Sequence, residues 1–181
     1  KAKVTEEGVE FVSILDGSKH FMSPEDSMRI QSDIGADIIF ALDEFTSPHA
    51  EKAQIKATIE RTHRWADRCL KAFKGSPLYD NNKGDLLNSK QALFGIVQGG
   101  RHEDLRKQSA KNIGEMDFHG FGIGGTFVKE DMATAVRWVN EILPEVKPRH
   151  LLGVGEPIDL FLGVENGCDT FDCVAVTRMS R

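Results

Sequence analysis

The chain has 181 residues, with 23 Lys and Arg against 28 Asp and Glu for a net charge of −5, and it is 40% hydrophobic and 28% charged. That balance excludes a disordered, collagen-like or coiled-coil chain. It also offers no basic footprint for nucleic acid, so any such partner must be recognised by a site. No apolar run reaches the roughly 20 residues that cross a bilayer, and the first residues show no signal peptide. Cys69, Cys168 and Cys173 form no C-x-x-C pair. This excludes a zinc ribbon or a redox motif and fits a reducing, cytoplasmic compartment. The missing initial Met, and a motif-dense stretch running up to Arg181, lead us to expect an internal piece of a longer chain.

Residues 8–22 read as a β-hairpin, two β-rich runs around the turn dipeptide Asp16-Gly17. Ser23 and Pro24 open a short helix, with acids in its first turn and Gly35 at its end. Short apolar runs then alternate with helices. The runs cover 38–42, 92–97, 120–123, 150–154 and 170–174, and their lack of in/out alternation suggests strands buried on both faces. Ser47 and Pro48 should start a helix whose apolar face carries Ile55, Ile59, Thr62, Ala66, Cys69, Leu70 and Phe73. Residues 75–90 read as a surface loop insertion, and 102–116 as a weaker helix. Met132 to Leu143 makes a helical stripe stopped at Pro144. Ile158, Phe161, Leu162 and Val164 mark a last helix between Pro157 and Gly167.

Strand and helix alternating at about 30-residue spacing means βαβ units. With no G-x-G-x-x-G turn, the fold class is α/β, an incomplete (β/α)8 TIM barrel rather than a dinucleotide fold. Residues 1–181 should then be part of a single TIM-barrel domain. Eight strands need about 250 residues. Two open parallel edges should then leave the isolated chain self-associating. Catalytic groups of such barrels lie at the C-terminal strand ends. Here those ends are Asp43-Glu44, Gln98-Gly99-Gly100, Gly124-Gly125, Gly153-Val154-Gly155 and Asp172-Cys173. The carboxylates and the amide suit a polar ring bearing N–H groups and a carbonyl, and the glycines let backbone N–H groups come close. Blander readings stay open at this point: Asp43 as a helix cap, Gln98-Gly99-Gly100 as a turn, Gly124-Gly125 as a phosphate turn or packing. Asp172 reads as a carboxylate inside an apolar strand, which is expensive to bury without partners. The six histidines show no metal spacing, and most read as surface or capping residues. Arg64, Arg68 and Lys71 read as a solvated helix face.

The same strand ends resemble the tRNA-guanine transglycosylase (queuine tRNA-ribosyltransferase) family. The likeness rests on IIFALDEFTSP at 38–48, FGIVQGG at 94–100, FGIGG at 121–125, LLGVGEPIDL at 151–160 and GCDTFDCVAVTRMSR at 167–181. It implies a pentosyltransferase that exchanges the wobble guanine of a tRNA anticodon loop for a 7-deazaguanine, either the 7-aminomethyl base or queuine. Asp172 would be the nucleophile, forming a covalent ester with the ribose. Asp43, Gln98 and Gly125, with Gly124 and Phe45 beside them, would bind the base, and Leu152 would cover its face. Arg178 and Arg181 would take phosphates. The resemblance further implies a homodimer, a general-base Asp upstream of Lys1, and a structural zinc whose ligands lie beyond residue 181, with none within 1–181. Phe45 stands where bacterial members usually have Cys. Thr126, Phe127 and Lys129 replace the usual Leu, Ala and Gly, while Val128 leans toward the aminomethyl base. The competing readings are a non-catalytic subunit of the same family, and an unrelated barrel enzyme that binds a phosphate.

Overall fold

A computed structural model describes residues 2–76, 91–125 and 129–180. The chain opens with an antiparallel sheet of β1 (Lys3–Val4), β2 (Val9–Val12) and β3 (Lys19–Met22). The β2–β3 hairpin is where the sequence puts it, but Val12 pairs with Lys19, so residues 13–18 make the connection. A type I′ turn needs positive φ at both central residues, and Asp16 does not adopt it. Its carboxylate instead accepts from the Ser18 N–H at 3.1 Å and the Ser18 hydroxyl at 2.8 Å, holding a longer loop. Strand β1 is too short for its periodicity to be legible.

Helix α1 (Pro24–Ile34) begins and ends as expected. Ser23 Oγ accepts from the Asp26 N–H at 3.1 Å, while the Asp26 carboxylate accepts from the Ser23 N–H at 3.2 Å, a reciprocal capping box closed at the far end by Gly35. Five parallel strands follow: β4 (Ile38–Phe40), β5 (Ala92–Val97), β6 (Gly120–Ile123), β7 (Arg149–Leu151) and β8 (Thr170–Phe171), in the order β4-β5-β6-β7-β8. Between or after them come α2 (Lys52–Lys74), α3 (Glu103–Gly114), α4 (Met132–Asn140), α5 (Pro157–Glu165) and α6 (Ala175–Met179). A strictly sequential order has no reversal point. Right-handed crossovers then put successive helices on one face, the winding of a (β/α) barrel and not of a doubly wound sheet.

Side chains alternate across the sheet with period two. The odd-numbered Ile39, Leu93, Val97, Phe121, Ile123 and Leu151 are buried in one core with Ala66 and Phe73 of α2, Ile113 of α3, and Val136 and Val139 of α4. The even-numbered face carries Phe40, Phe94, Ile96, His150 and Thr170, with Gly122 between them. Burial on both faces therefore holds for the central strands β5 and β6, but fails at the edges, where Ile38 and Thr170 are exposed.

Helix α2 starts at Lys52, later than Ser47-Pro48 suggests. Ser47 instead closes a turn, its carbonyl accepting from the Ala50 N–H at 3.0 Å. The expected apolar face of α2 is buried in full. Its basic residues are tied down rather than merely solvated. Arg64 makes two bonds to the Glu6 carboxylate, at 2.6 and 2.8 Å, and Arg68 two to Glu25, at 2.8 and 2.7 Å. They clamp the small sheet and α1 onto α2. Helix α4 ends at Asn140, before Leu143, which is still buried. On α5, Leu162 meets the core while Ile158, Phe161 and Val164 stay exposed, so its stripe faces outward among the described residues. Residues 77–90 of the expected insertion, and Thr126, Phe127 and Val128, lie outside the described residues. All three cysteines are free thiols. Among the described residues no helix is long and apolar enough to cross a membrane.

Candidate active site

Strand β4 stops at Phe40, and the chain beyond it is pinned to α2. The Leu42 N–H lies 3.4 Å from Cys69 Sγ, the Glu44 N–H donates to Thr62 Oγ1 at 3.1 Å, and Arg61 pairs with the Glu44 carboxylate. Glu44 is therefore turned toward α2, away from the ligand position the sequence suggested. Asp43, between these anchors, accepts a hydrogen bond from Gln98 Nε2. Burial raises its pKa, with the Gln98 bond acting in the opposite direction. Part of its surface still opens to solvent, whereas Gln98 is buried. Asp43 is not a helix cap, since α2 begins nine residues later by number, at Lys52. Phe45 is exposed beside it.

Gln98 is held from behind. Its N–H donates to Ser109 Oγ at 3.2 Å, Ser109 Oγ lies 3.1 Å from His63 Nε2, and His63 Nδ1 lies 3.0 Å from Asn112 Nδ2. Burial lowers the His63 pKa to about 4. Gly99 makes room for α3 and not for a ligand: a Cβ there would stand 2.7 Å from the Arg106 nitrogen. Arg106 is fully buried, donating from Nε to the Gly100 carbonyl at 2.9 Å and from Nη1 to the Gly124 carbonyl at 2.6 Å. It locks the ends of β5 and β6 together, and burial lowers its pKa to about 9. Gly125 has φ +83°, and a Cβ on it would collide with Gln98 Oε1, so only glycine fits against the amide. Leu152 Cδ1 lies over Gly122 and Gly124, 3.1 and 3.3 Å from where their Cβ atoms would stand.

At the sheet edge Asp172 follows β8 instead of lying inside it, and its side chain is 57% exposed. The burial penalty expected from its apolar neighbours is thereby avoided. Its Oδ1 accepts from the Gly153 N–H at 2.8 Å and lies 3.1 Å from His150 Nε2. A cavity of about 460 Å³ adjoins it, lined by Gly153, Glu156, Asp159, Cys173 and Arg178 among others. Arg178 lines this cavity, while Arg181 lies outside the described residues.

The structure thus brings Asp43, just past the edge strand β4, to Gln98 after β5, near Gly124 and Gly125 after β6 and Leu152 after β7, with Asp172 past the opposite edge strand β8. The sequence reading passed over Arg106 and His150. An arginine on the inner face of α3 is a weak signal for the first. Only the β7–β8 register, which sets His150 opposite Thr170, reveals the second. Among the described residues no three of His, Cys, Asp and Glu meet as a metal site. The zinc that the resemblance implies has no ligand set there, and no step below uses it.

A singly wound parallel α/β sheet places the chain among the (β/α) barrel-like folds, with an amide–carboxylate pair between the ends of β4 and β5 and an exposed carboxylate past β8. Within that class, the family model for queuine tRNA-ribosyltransferase matches residues 1–181, and the chain belongs to that family. It is 48% identical to the queuine tRNA-ribosyltransferases of Staphylococcus aureus and of a Thermoanaerobacter species, each match covering 99% of this chain and 45% of the relative. A relative in Archaeoglobus fulgidus is 46% identical over 99% of this chain and 42% of its own length. The chain therefore spans less than half the length of these curated relatives.

Proposed function

We propose that this chain carries the base-reading edge and the nucleophile of a tRNA-guanine transglycosylase, a pentosyltransferase that replaces the wobble guanine of an anticodon loop with a 7-deazaguanine. In this reading the five strands belong to a closed (β/α)8 barrel in the complete protein, one catalytic domain, with zinc bound elsewhere. The observation that carries it is the Asp43–Gln98 pair. In the free site each satisfies the other. A guanine-type ring inserted between them offers N–H donors to the carboxylate and a carbonyl to the amide, so the bond is exchanged and not lost. Such sites reject analogues that leave a buried polar group unpaired. Leu152 covers the ring face, and the target nucleotide must leave its stack to enter.

Asp172 then attacks the ribose anomeric carbon. A carboxylate oxygen–C1′ bond forms as the C1′–N9 bond breaks, and its electron pair leaves with guanine, which takes up one proton. The incoming base gives up one proton as it attacks C1′ and expels the carboxylate, so the exchange is proton-neutral. Two inversions give net retention, as in a retaining glycosidase. The openness of Asp172 supports this role, because a nucleophile must meet a bulky RNA ribose. Arg178, which lines the adjoining cavity, would take a phosphate in this reading. The test is trapping of a covalent RNA adduct on a denaturing gel with the full-length protein: it should form with the native protein and be absent with Asp172→Asn. An adduct that persists in Asp172→Asn would overturn the assignment.

A further inference from the structure

We infer that His150 is a positioning residue that, with Thr170, fixes which oxygen of Asp172 attacks. The inference rests on the nucleophile assignment above. Strands β7 and β8 are parallel, with His150 opposite Thr170. Asp172 lies two residues beyond Thr170, just past the end of β8, and both side chains meet the His150 ring. The contacts agree: Nδ1 lies 2.8 Å from Thr170 Oγ1 and Nε2 lies 3.1 Å from Asp172 Oδ1. The Phe40 ring packs against the imidazole with centroids 5.3 Å apart, and the His150 side chain is only 14% exposed. The ring is thus held on its face and at both nitrogens.

Proton bookkeeping sets the direction. An ionised Asp172 has no proton to give, so Nε2 carries the hydrogen and donates to Oδ1. In the neutral ring Nδ1 is then an acceptor, and the Thr170 hydroxyl donates to it. The Gly153 N–H reaches the same Oδ1 at 2.8 Å. Among the described residues both bonds fall on Oδ1 and none on Oδ2. A freely rotating carboxylate offers two equivalent oxygens. Here two donors fix its plane and leave Oδ2 open, so Oδ2 forms the bond to C1′ as the C1′–N9 bond breaks toward guanine. Aim of this kind acts on the chemical step and not on base binding.

The experiment uses the full-length protein, tRNA bearing wobble guanine, and radiolabelled guanine. His150→Phe should slow covalent-adduct formation about 10- to 100-fold, the worth of one hydrogen bond to a charged group, with KM for guanine within about twofold. His150→Gln keeps a side-chain N–H and should restore most of the rate. Thr170→Val should cost a few-fold, by releasing the ring. An unchanged rate in His150→Phe, or a His150→Gln as slow as His150→Phe with KM raised in parallel, overturns the inference while Asp172→Asn remains inactive. If His150→Phe does not fold, the His150→Gln and Thr170→Val pair decides. An adduct in Asp172→Asn overturns the parent assignment instead, so the two failures are distinguishable.

Discussion

The two carboxylates of the site live in opposite surroundings. Asp43 sits at the end of an anchored loop, against a buried amide, with a buried arginine tying the neighbouring strand ends. Asp172 stands at the rim of the last strand, 57% exposed, held by one imidazole and one backbone N–H. The difference suits the task proposed for each. Reading the edge of a base works by denying it water, so that a mismatched donor is left unpaired. Attacking a ribose that belongs to a macromolecule requires access, and the aim is supplied by two donors instead of a closed pocket. The desolvated acid carries the raised pKa, and its cause is burial.

The sharpest break of this comparison is at the rim. Asp172→Asn should abolish base exchange, by about a thousandfold or more, with the melting temperature nearly unchanged, since the residue is exposed. Assaying exchange of labelled guanine beside a thermal melt checks both halves. Beside Gln98, Asp43→Ala should weaken guanine binding about 10- to 100-fold, equivalent to roughly 1.5–3 kcal/mol for a hydrogen bond to a charged group. Calorimetry with guanine would show it, and unchanged affinity would remove Asp43 from base recognition.

Stability against pH separates the regions further. Asp43 has a raised folded pKa, so its ionisation costs the folded state nothing below the ordinary carboxylate value of 3.8 and progressively more as pH rises through the folded value. Asp43→Asn should therefore be more stable than the native protein at neutral pH, with the gain vanishing on acidification. His63, behind Gln98, behaves in the reverse sense. Its folded pKa is depressed from 6.5 to about 4, so its contribution is complete above pH 6.5 and is lost as pH falls through about 4. Protein with His63→Gln should show a flatter melting profile across that window, by on the order of 1 kcal/mol after solvent screening. Glu6, held to about 2 by its hydrogen bond to Arg64, titrates in a lower window, between 4.5 and about 2, and does not obscure the effect.

Two glycines give the smaller tests. Gly125→Ala must adopt φ +83° and displace Gln98 Oε1, so guanine affinity should fall about tenfold with a stability loss of roughly 1–2 kcal/mol. Gly153→Ala meets no neighbour within 4 Å but must hold φ +72°. It should cost about 1 kcal/mol and slow adduct formation only a few-fold. Equal effects of the two substitutions on guanine affinity would erase the division between the Gln98 pocket and the Asp172 edge.

Sequence by itself determined the winding and the polar strand ends. Apolar runs separated by amphipathic helices are local signals, and so are Ser23, Pro24 and Gly35 around α1. Each follows from backbone preference and periodicity within a few residues. The motif residues Asp43, Gln98, Gly124, Gly125 and Asp172 were legible because they interrupt apolar runs where a barrel presents its chemistry, whereas Leu152 stood out only through the family resemblance. Only the tertiary structure decided which of them are buried and who holds them. Glu44 looked equivalent to Asp43 until Arg61 turned it toward α2. Asp172 looked like a buried strand acid until β8 ended one residue before it. His150 gains its partners only from the register that lays β7 beside β8. Hydrogen bonds of this kind join residues far apart in the chain, and periodicity within one element carries no record of what another element places across from it.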